Sequence, residues 1–185
     1  MSTIIWVVLI LAGLVLIGAA IFLRHMIARR QRRSLQTRFL SEYDRTVRKT
    51  GDRRAAEREL QGRIDRHDTV DLRDIDATRR EALRGEWLAV QVSFVDDPGE
   101  AIMRAARLVH DTMSERGYPG NDIAEQIDLI SVDYPDLVPE FRRAHLSVLR
   151  GRSGDADTEE LRQAFMRYRA VFDRLLEPRS AKASR

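Results

Sequence analysis

Apolar residues recur at three- and four-residue spacing along most of the chain beyond residue 34. Residues with this spacing lie on one face of an α-helix, so each such run predicts an amphipathic helix. No stretch alternates between apolar and polar residues with the period of two that is typical of a strand, and no unit of fixed length repeats. The pattern therefore predicts an all-α fold in which several helices form a compact, bundle-like domain.

Two helices are predicted at the start of this region. The first has an apolar face formed by Leu35, Phe39, Tyr43 and Val47. Residues 50–52 interrupt it, and Asp52 is a suitable N-cap for the second helix, because its carboxylate can accept from the free amides of the first turn. The inward face of the second helix is predicted to contain Ala55, Ala56, Leu60 and Ile64. Residues 65–76 show little periodicity and are predicted to form an extended connection.

The most strongly patterned segment covers residues 83–95. Its predicted buried stripe consists of Leu83, Trp87, Val90 and Phe94, and we expect the apolar residues Leu88, Val92 and Val95 to lie beside that stripe. Asp97 is a good N-cap and Pro98 suits the first position of a helix, so one helix ends and another begins there.

Later turns are predicted at residues 117–122, 134–136 and 151–157, where Gly, Pro, Asn and Asp cluster. Asp122 is again placed to cap a helix. The aromatic residues on the predicted helices fall on apolar faces, which predicts that they pack in a common core. These residues are Trp87, Phe94, Phe141, Phe165, Tyr168 and Phe172.

Residues 4–23 form an uninterrupted run of apolar residues and glycine. A helix needs about 20 such residues to cross the hydrocarbon core of a membrane. Trp6 lies near one end of the run, where an indole ring favours the membrane interface. A cleavable signal peptide would have positive charge before a shorter apolar run. Here the leader of three residues has no charged side chain and the charge follows, so we predict a single-pass transmembrane anchor.

The arginines that follow the apolar run predict its orientation; they are Arg24, Arg29, Arg30, Arg32 and Arg33. Basic residues beside a span remain in the cytoplasm, so the N-terminus is expected outside and the helical domain on the cytoplasmic side of the cell membrane. The same side chains can contact anionic lipid headgroups, at about 1 kcal/mol per basic residue. The predicted organisation is an anchor with its basic segment over 1–33, a helical domain over 34–177 and a basic disordered tail over 178–185.

The distribution of charge argues against a nucleic-acid partner. The 185-residue chain has a net charge of +3, and residues 1–33 contain five arginines and no acid. Residues 178–185 contribute three further basic residues and no acid, which leaves −5 for residues 34–177. A domain that binds phosphates by releasing counterions is expected to be basic itself.

No motif for catalysis or for a cofactor is recognisable. The chain lacks cysteine, a His-Glu-x-x-His pair and a glycine-rich phosphate loop. His145 lies on an apolar helix face and is predicted to be a hydrogen-bonded structural residue, whereas His110 is predicted to be solvated. We therefore predict that the protein is not an enzyme, with no catalytic residue, no metal ligand and no cofactor.

Two predicted turns are the best candidates for a surface that binds a partner protein, because loops on a rigid scaffold commonly carry binding. The interpretation of these turns as plain helix punctuation stays open. The tentative partner surface consists of Arg116, Tyr118, Asp122, Asp133 and Tyr134.

Five segments together carry a family resemblance: 51–60 (GDRRAAEREL), 87–98 (WLAVQVSFVDDP), 116–119 (RGYP), 130–135 (ISVDYP) and 160–169 (ELRQAFMRYR). In this combination the chain resembles a family of uncharacterised bacterial, largely actinobacterial, single-pass membrane or secreted proteins with a helical C-terminal domain. The resemblance covers nearly all of residues 40–177. It implies a folded helical unit, and it implies no reaction, cofactor, partner or functional residue.

Three functional hypotheses follow. The first is a membrane-anchored helical module that faces the cytoplasm and binds an unidentified protein as an interaction or scaffold unit. The second is a structural protein of the envelope, or a secreted one, which requires the opposite topology or a cleaved N-terminus. The third is a hydrolase with an unrecognised site, and it requires a polar pocket that brings His145 together with acids from other helices.

Overall fold

The computed structural model describes residues 32–120 and 122–178, together with positions 18, 19, 22 and 26. These residues form helices and no strand, which confirms the all-α prediction. Residues 32–39 are helical and lead into α1 (Ser41–Thr50). The helices that follow are α2 (Arg53–Asp68), α3 (Ala77–Ser93), α4 (Pro98–Glu115), α5 (Ile123–Asp133), α6 (Val138–Arg152) and α7 (Thr158–Leu176).

Within the described part of the chain, no helix is both long enough and apolar enough to span a membrane. The span predicted over residues 4–23 lies outside the described residues, apart from positions 18, 19 and 22. Arg24, Arg29 and Arg30 also lie outside them, as does the tail from residue 179 onward. Arg32 and Arg33 are described, and both are exposed at the start of the helical stretch over 32–39.

Aspartate caps most of the helices. The carboxylate of Asp52 accepts from the backbone amides of Arg54 and Ala55 at the start of α2. Asp97 and Asp122 cap α4 and α5 in the same way, as their positions before the apolar runs predicted. Asp76 and Asp157 cap α3 and α7. Each cap satisfies amides that the first helical turn leaves without an internal acceptor.

The main core is aromatic and centres on Trp87, which is fully buried. Its ring centroid lies 5.0 Å from that of Phe165 and 4.8 Å from that of Phe172. Phe141 meets Tyr168 edge-on at 5.8 Å, and Phe94 is partly buried against the same core. The prediction that the aromatic residues pack together is therefore confirmed. Helices α4 and α6 both pack along α7, which lies at the centre of the bundle.

A second, smaller core lies under α1 and α2. It contains Leu35, Phe39, Tyr43, Leu60, Ile64 and Val132. The predicted face from Leu35 to Val47 is present, but the helix breaks at Leu40, which has a φ of 49°. A positive φ is unfavourable for a residue with a branched side chain, and no Gly or Pro marked this position in the sequence.

Buried ion pairs join this smaller unit to the rest of the bundle. Glu42 of α1 and Arg63 of α2 are each 1% exposed. Arg142 of α6 places its Nε 3.2 Å from Glu42 Oε2 and its Nη2 2.7 Å from Asp128 Oδ1 of α5. Arg63 Nη2 lies 3.3 Å from that same Asp128 oxygen and 2.7 Å from Glu59 Oε1. We call these five residues the ion-pair network.

Two details of the predicted pattern were wrong. Helix α2 continues through residues 65–68, so the extended connection is shorter than expected and covers only residues 69–76. Leu88, Val92 and Val95 were expected beside the buried stripe, but they lie away from it and are 59%, 64% and 85% exposed. The stripe with Trp87 and Val90 faces the core, Leu88 and Val92 lie on the other side of α3, and Val95 lies in the turn after Ser93.

Candidate functional site

The tentative partner surface is mostly built into the interior. Arg116 is buried at the end of α4. Its Nη1 donates to the backbone carbonyl oxygens of Leu175 and Glu177, and its Nη2 lies 3.4 Å from Asp74 Oδ1. These bonds tie the end of α4 to the end of α7 and to the connection that precedes α3.

Tyr118, Asp133 and Tyr134 also make internal contacts. The Tyr118 hydroxyl donates to Asp133 Oδ2 at 2.6 Å, and His67 Nε2 lies 2.7 Å from the same oxygen. Burial, followed by the nearby Asp133 charge, raises the pKa of Tyr118 well above its usual value. The guanidinium of Arg174 lies 5.4 Å from the centroid of the Tyr134 ring. Partner binding through these turns stays a prediction, and their observed contacts stabilise the fold.

Asp122, the remaining member of that set, borders a cleft of about 550 Å³. The cleft lies between α4, the start of α5, α6 and α7. Its polar lining consists of Arg107, His110, Asp122, His145, Arg152 and Tyr168. Its apolar lining consists of Met103, Ala106, Ile123, Val148 and Leu149.

The hydrogen bonds of His110 define its tautomer. His110 Nδ1 lies 2.8 Å from Gln126 Oε1, while Gln126 Nε2 donates to the backbone carbonyl of Tyr118 at 3.3 Å. A carbonyl can only accept, so this bond sets the orientation of the Gln126 amide. Gln126 Oε1 must then accept from His110 Nδ1. In its neutral form the His110 ring therefore keeps Nε2 as an acceptor. His110 was predicted to be solvated, but it is half-buried.

His145 is held in its uncharged form. Burial lowers the pKa of His145 below its ordinary value of 6.5. The Asp122 carboxylate acts in the opposite direction, and the Arg142 guanidinium adds to the lowering. Asp122 belongs to the cleft wall, and Arg142 belongs to the adjoining ion-pair network on the same helix as His145.

Tyr168 lines the cleft from α7 and has no exposed surface. Among the described residues its hydroxyl has no hydrogen-bond partner. Burial raises the pKa of Tyr168, so the group stays a neutral hydroxyl that can donate and accept. A buried hydroxyl without a partner is unfavourable by about 1–3 kcal/mol.

The cleft is lined by charged and titratable side chains. Arg107, Arg152 and Asp122 together contribute a net charge of +1 to the lining. No described lining residue carries a thiol or an aliphatic hydroxyl as a nucleophile. Across the described part of the chain, no three His, Asp or Glu residues are grouped so that they could hold a metal ion. The cleft does bring His145 together with Asp122, as the hydrolase hypothesis requires.

A second candidate surface is the outer face of α3 together with the turn that follows the helix. We call it the outer face of α3 and define it as Arg84, Gly85, Leu88 and Val92 of the helix and Val95 and Asp96 of the turn. It lies opposite the face that buries Trp87. A side chain placed at Gly85 would meet no other atom within 4 Å, so this face is open at its N-terminal end. Arg84 pairs with Glu81 at 3.2 Å on the same side of the helix.

Sequence reasoning did not find the cleft as a whole. Its polar residues come from four helices and are widely separated along the chain, so no spacing rule connects them. The one available signal was His145, a titratable residue on a face otherwise apolar.

Comparison with protein-family models, curated proteins and solved structures finds no match to this chain. The family resemblance, which rests on five segments in combination, therefore stays a prediction. Function is inferred from the geometry and chemistry of the residues themselves.

The Asp122→Asn variant tests the electrostatics of the cleft. Asn is also a good N-cap, so α5 is expected to keep its start while the negative charge near His145 is lost. We expect the pKa of His145, followed by NMR of the ring protons, to be below 6.5 in the unmodified chain and lower still in the variant. Because the folded chain binds this proton less tightly than the unfolded chain, stability should fall as the pH drops below about 6.5.

An unchanged His145 titration in Asp122→Asn would contradict this assignment. The Asp136→Asn variant provides a control, because Asp136 is an exposed aspartate outside the cleft lining. It should leave the titration of His145 unaltered.

Proposed function

We propose that this protein is a membrane-tethered helical scaffold, facing the cytoplasm, that pairs with a second copy of itself through the outer face of α3. The observation that carries the proposal is the exposure of Leu88 and Val92 on a helix whose opposite face is packed, together with the exposure of Val95 in the turn that follows. A helix that is apolar on both faces is normally covered on both.

The tether rests on the sequence of residues 1–33. The apolar run over 4–23 has the length of a membrane span, and the five arginines after it favour a cytoplasmic helical domain. Anionic headgroups are the expected partners of those arginines. A helical domain held beside the bilayer encounters its own copies at a much higher effective concentration than a free one.

An antiparallel pair of α3 helices would be self-complementary. When two copies cross near residue 90, Leu88 of one helix lies opposite Val92 of the other. Val95, the most exposed of the apolar residues, then lies opposite Gly85, which presents no side chain. In the same arrangement Arg84 lies opposite Asp96, so opposite charges meet at both ends of the contact. A two-fold axis relates the two copies, as in most homodimers.

The expected contact is small. One 17-residue helix on each side has less surface than the roughly 1,200–2,000 Å² that stable complexes bury. Pairing is therefore expected to be weak in dilute solution and effective only when the chains share a membrane.

Two alternatives keep specific predictions of their own. An envelope or secreted structural protein requires the helical domain to be outside the membrane. A hydrolase requires His145 and Asp122, which both line the cleft, to activate a water molecule there.

Cysteine cross-linking tests the pairing, because the chain has no cysteine of its own. We expect chains with Gly85→Cys and chains with Val95→Cys, produced together in membranes, to form a mixed disulfide on mild oxidation. Each variant alone should cross-link far less, because its two copies would be separated by about 15 Å along the helix axes. As a matched control, Met166→Cys on the exposed side of α7 should not cross-link.

Strong cross-linking of each variant with itself would indicate parallel pairing. The absence of any disulfide between Gly85→Cys and Val95→Cys would rule out the proposed dimer.

The Val95→Cys variant also tests topology. We expect a membrane-impermeant maleimide to leave this cysteine unmodified in cells whose outer envelope layers admit the reagent but whose cytoplasmic membrane is intact. The reason is that the helical domain is in the cytoplasm. Labelling should appear after the membrane is permeabilised. Labelling of the cysteine while the cytoplasmic membrane is intact would place the helical domain outside that membrane and favour the envelope alternative.

A further inference from the structure

We infer that the cleft between α4, α5, α6 and α7 is a binding site for a small organic monoanion, a carboxylate attached to an apolar body. The site is independent of the outer face of α3, so it does not rest on the proposed pairing.

The size and walls of the cleft fit such a ligand. Its volume of about 550 Å³ lies within the range of roughly 300–1,000 Å³ that is typical of small-molecule sites. Met103, Ala106, Ile123, Val148 and Leu149 supply apolar surface from α4, α5 and α6. Leu149 lines the cleft and is 46% exposed. An apolar ligand body would remove this surface from water.

The charge of the lining favours an anion with a single charge. Arg107 and Arg152 come from different helices and both line the cleft. Arg107 is already paired with Glu100 at 2.9 Å, and Asp122 opposes a second negative group. A carboxylate requires one such cationic centre, whereas a phosphate dianion would face the Asp122 charge with too little compensation.

Two imidazoles contribute polar groups to the site. The Nδ1 atom of His110 donates to Gln126 Oε1, which leaves Nε2 as its other ring nitrogen. His145 is a half-buried imidazole on the facing helix, and Tyr168 contributes buried surface to the lining. Convergence of a few such groups in an apolar cleft is the usual composition of a ligand site.

The test uses the full chain in lipid nanodiscs, titrated with hexanoate, hexanol and hexyl phosphate. Binding is followed by NMR through the ring signals of His110 and His145. We expect saturable shifts with hexanoate and at least about tenfold weaker binding of hexanol, since the charge-assisted hydrogen bond to arginine is lost. Hexyl phosphate is expected to bind more weakly than hexanoate.

Arg152→Gln is expected to weaken hexanoate binding by about tenfold and to leave hexanol binding unchanged. Arg150→Gln is the matched control, because Arg150 is an exposed neighbour on α6 that pairs with Glu160 at 3.1 Å outside the cleft. It should bind hexanoate as the unmodified chain does.

Equal binding of hexanoate and hexanol would overturn the inference, because it would show that the cleft does not recognise the carboxylate charge and binds apolar molecules without specificity. Tighter binding of hexyl phosphate would also overturn the choice of a monoanion. Filling the cleft through Leu149→Trp gives an independent check. This position is partly exposed, so folding should be retained while hexanoate binding is lost.

Discussion

The ion-pair network is the interaction on which the rest of this structure depends. The helices α1 and α2 share a small apolar core that reaches the main bundle at Val132 of α5. They also meet the bundle through the ion-pair network, in which Glu42 and Arg63 are fully buried and the other members are partly buried. Arg142 contacts both Glu42 of α1 and Asp128 of α5. Removing one partner of a buried pair leaves the other charge uncompensated, so each group requires the other helix to be in place.

The same network borders the cleft. Arg142 lies three residues before His145 on α6, and its charge adds to the lowering of the His145 pKa. Asp128 belongs to α5, whose first turn contributes Asp122 and Ile123 to the cleft wall. The positions of α5 and α6 are therefore set from one side by the network and from the other by the packing of α6 along α7. A cleft between helices held in this way can be largely formed before a ligand enters.

Local signals in the sequence predicted much of the fold. The aspartate caps at residues 52, 97 and 122 and the aromatic core around Trp87 follow from short-range rules of spacing and capping. Periodicity could not assign Leu88, Val92 and Val95, because both faces of α3 are apolar and only the tertiary packing decides which is buried. The cleft and the ion-pair network bring together residues as far apart as Glu42 and Arg142, and nothing in their spacing indicates that contact.

A double-mutant cycle between Glu42 and Arg142 tests this account most directly. Urea unfolding is measured for the unmodified chain, for Glu42→Gln, for Arg142→Met and for both changes together. A buried network predicts a coupling free energy of about 2 kcal/mol between Glu42 and Arg142. The double variant should therefore lose less free energy of unfolding than the sum of the losses in the two single variants. The exposed Glu140 and Arg143 pair should give less than about 0.5 kcal/mol in the same cycle. An equally small value for Glu42 and Arg142 would contradict the central role of the network.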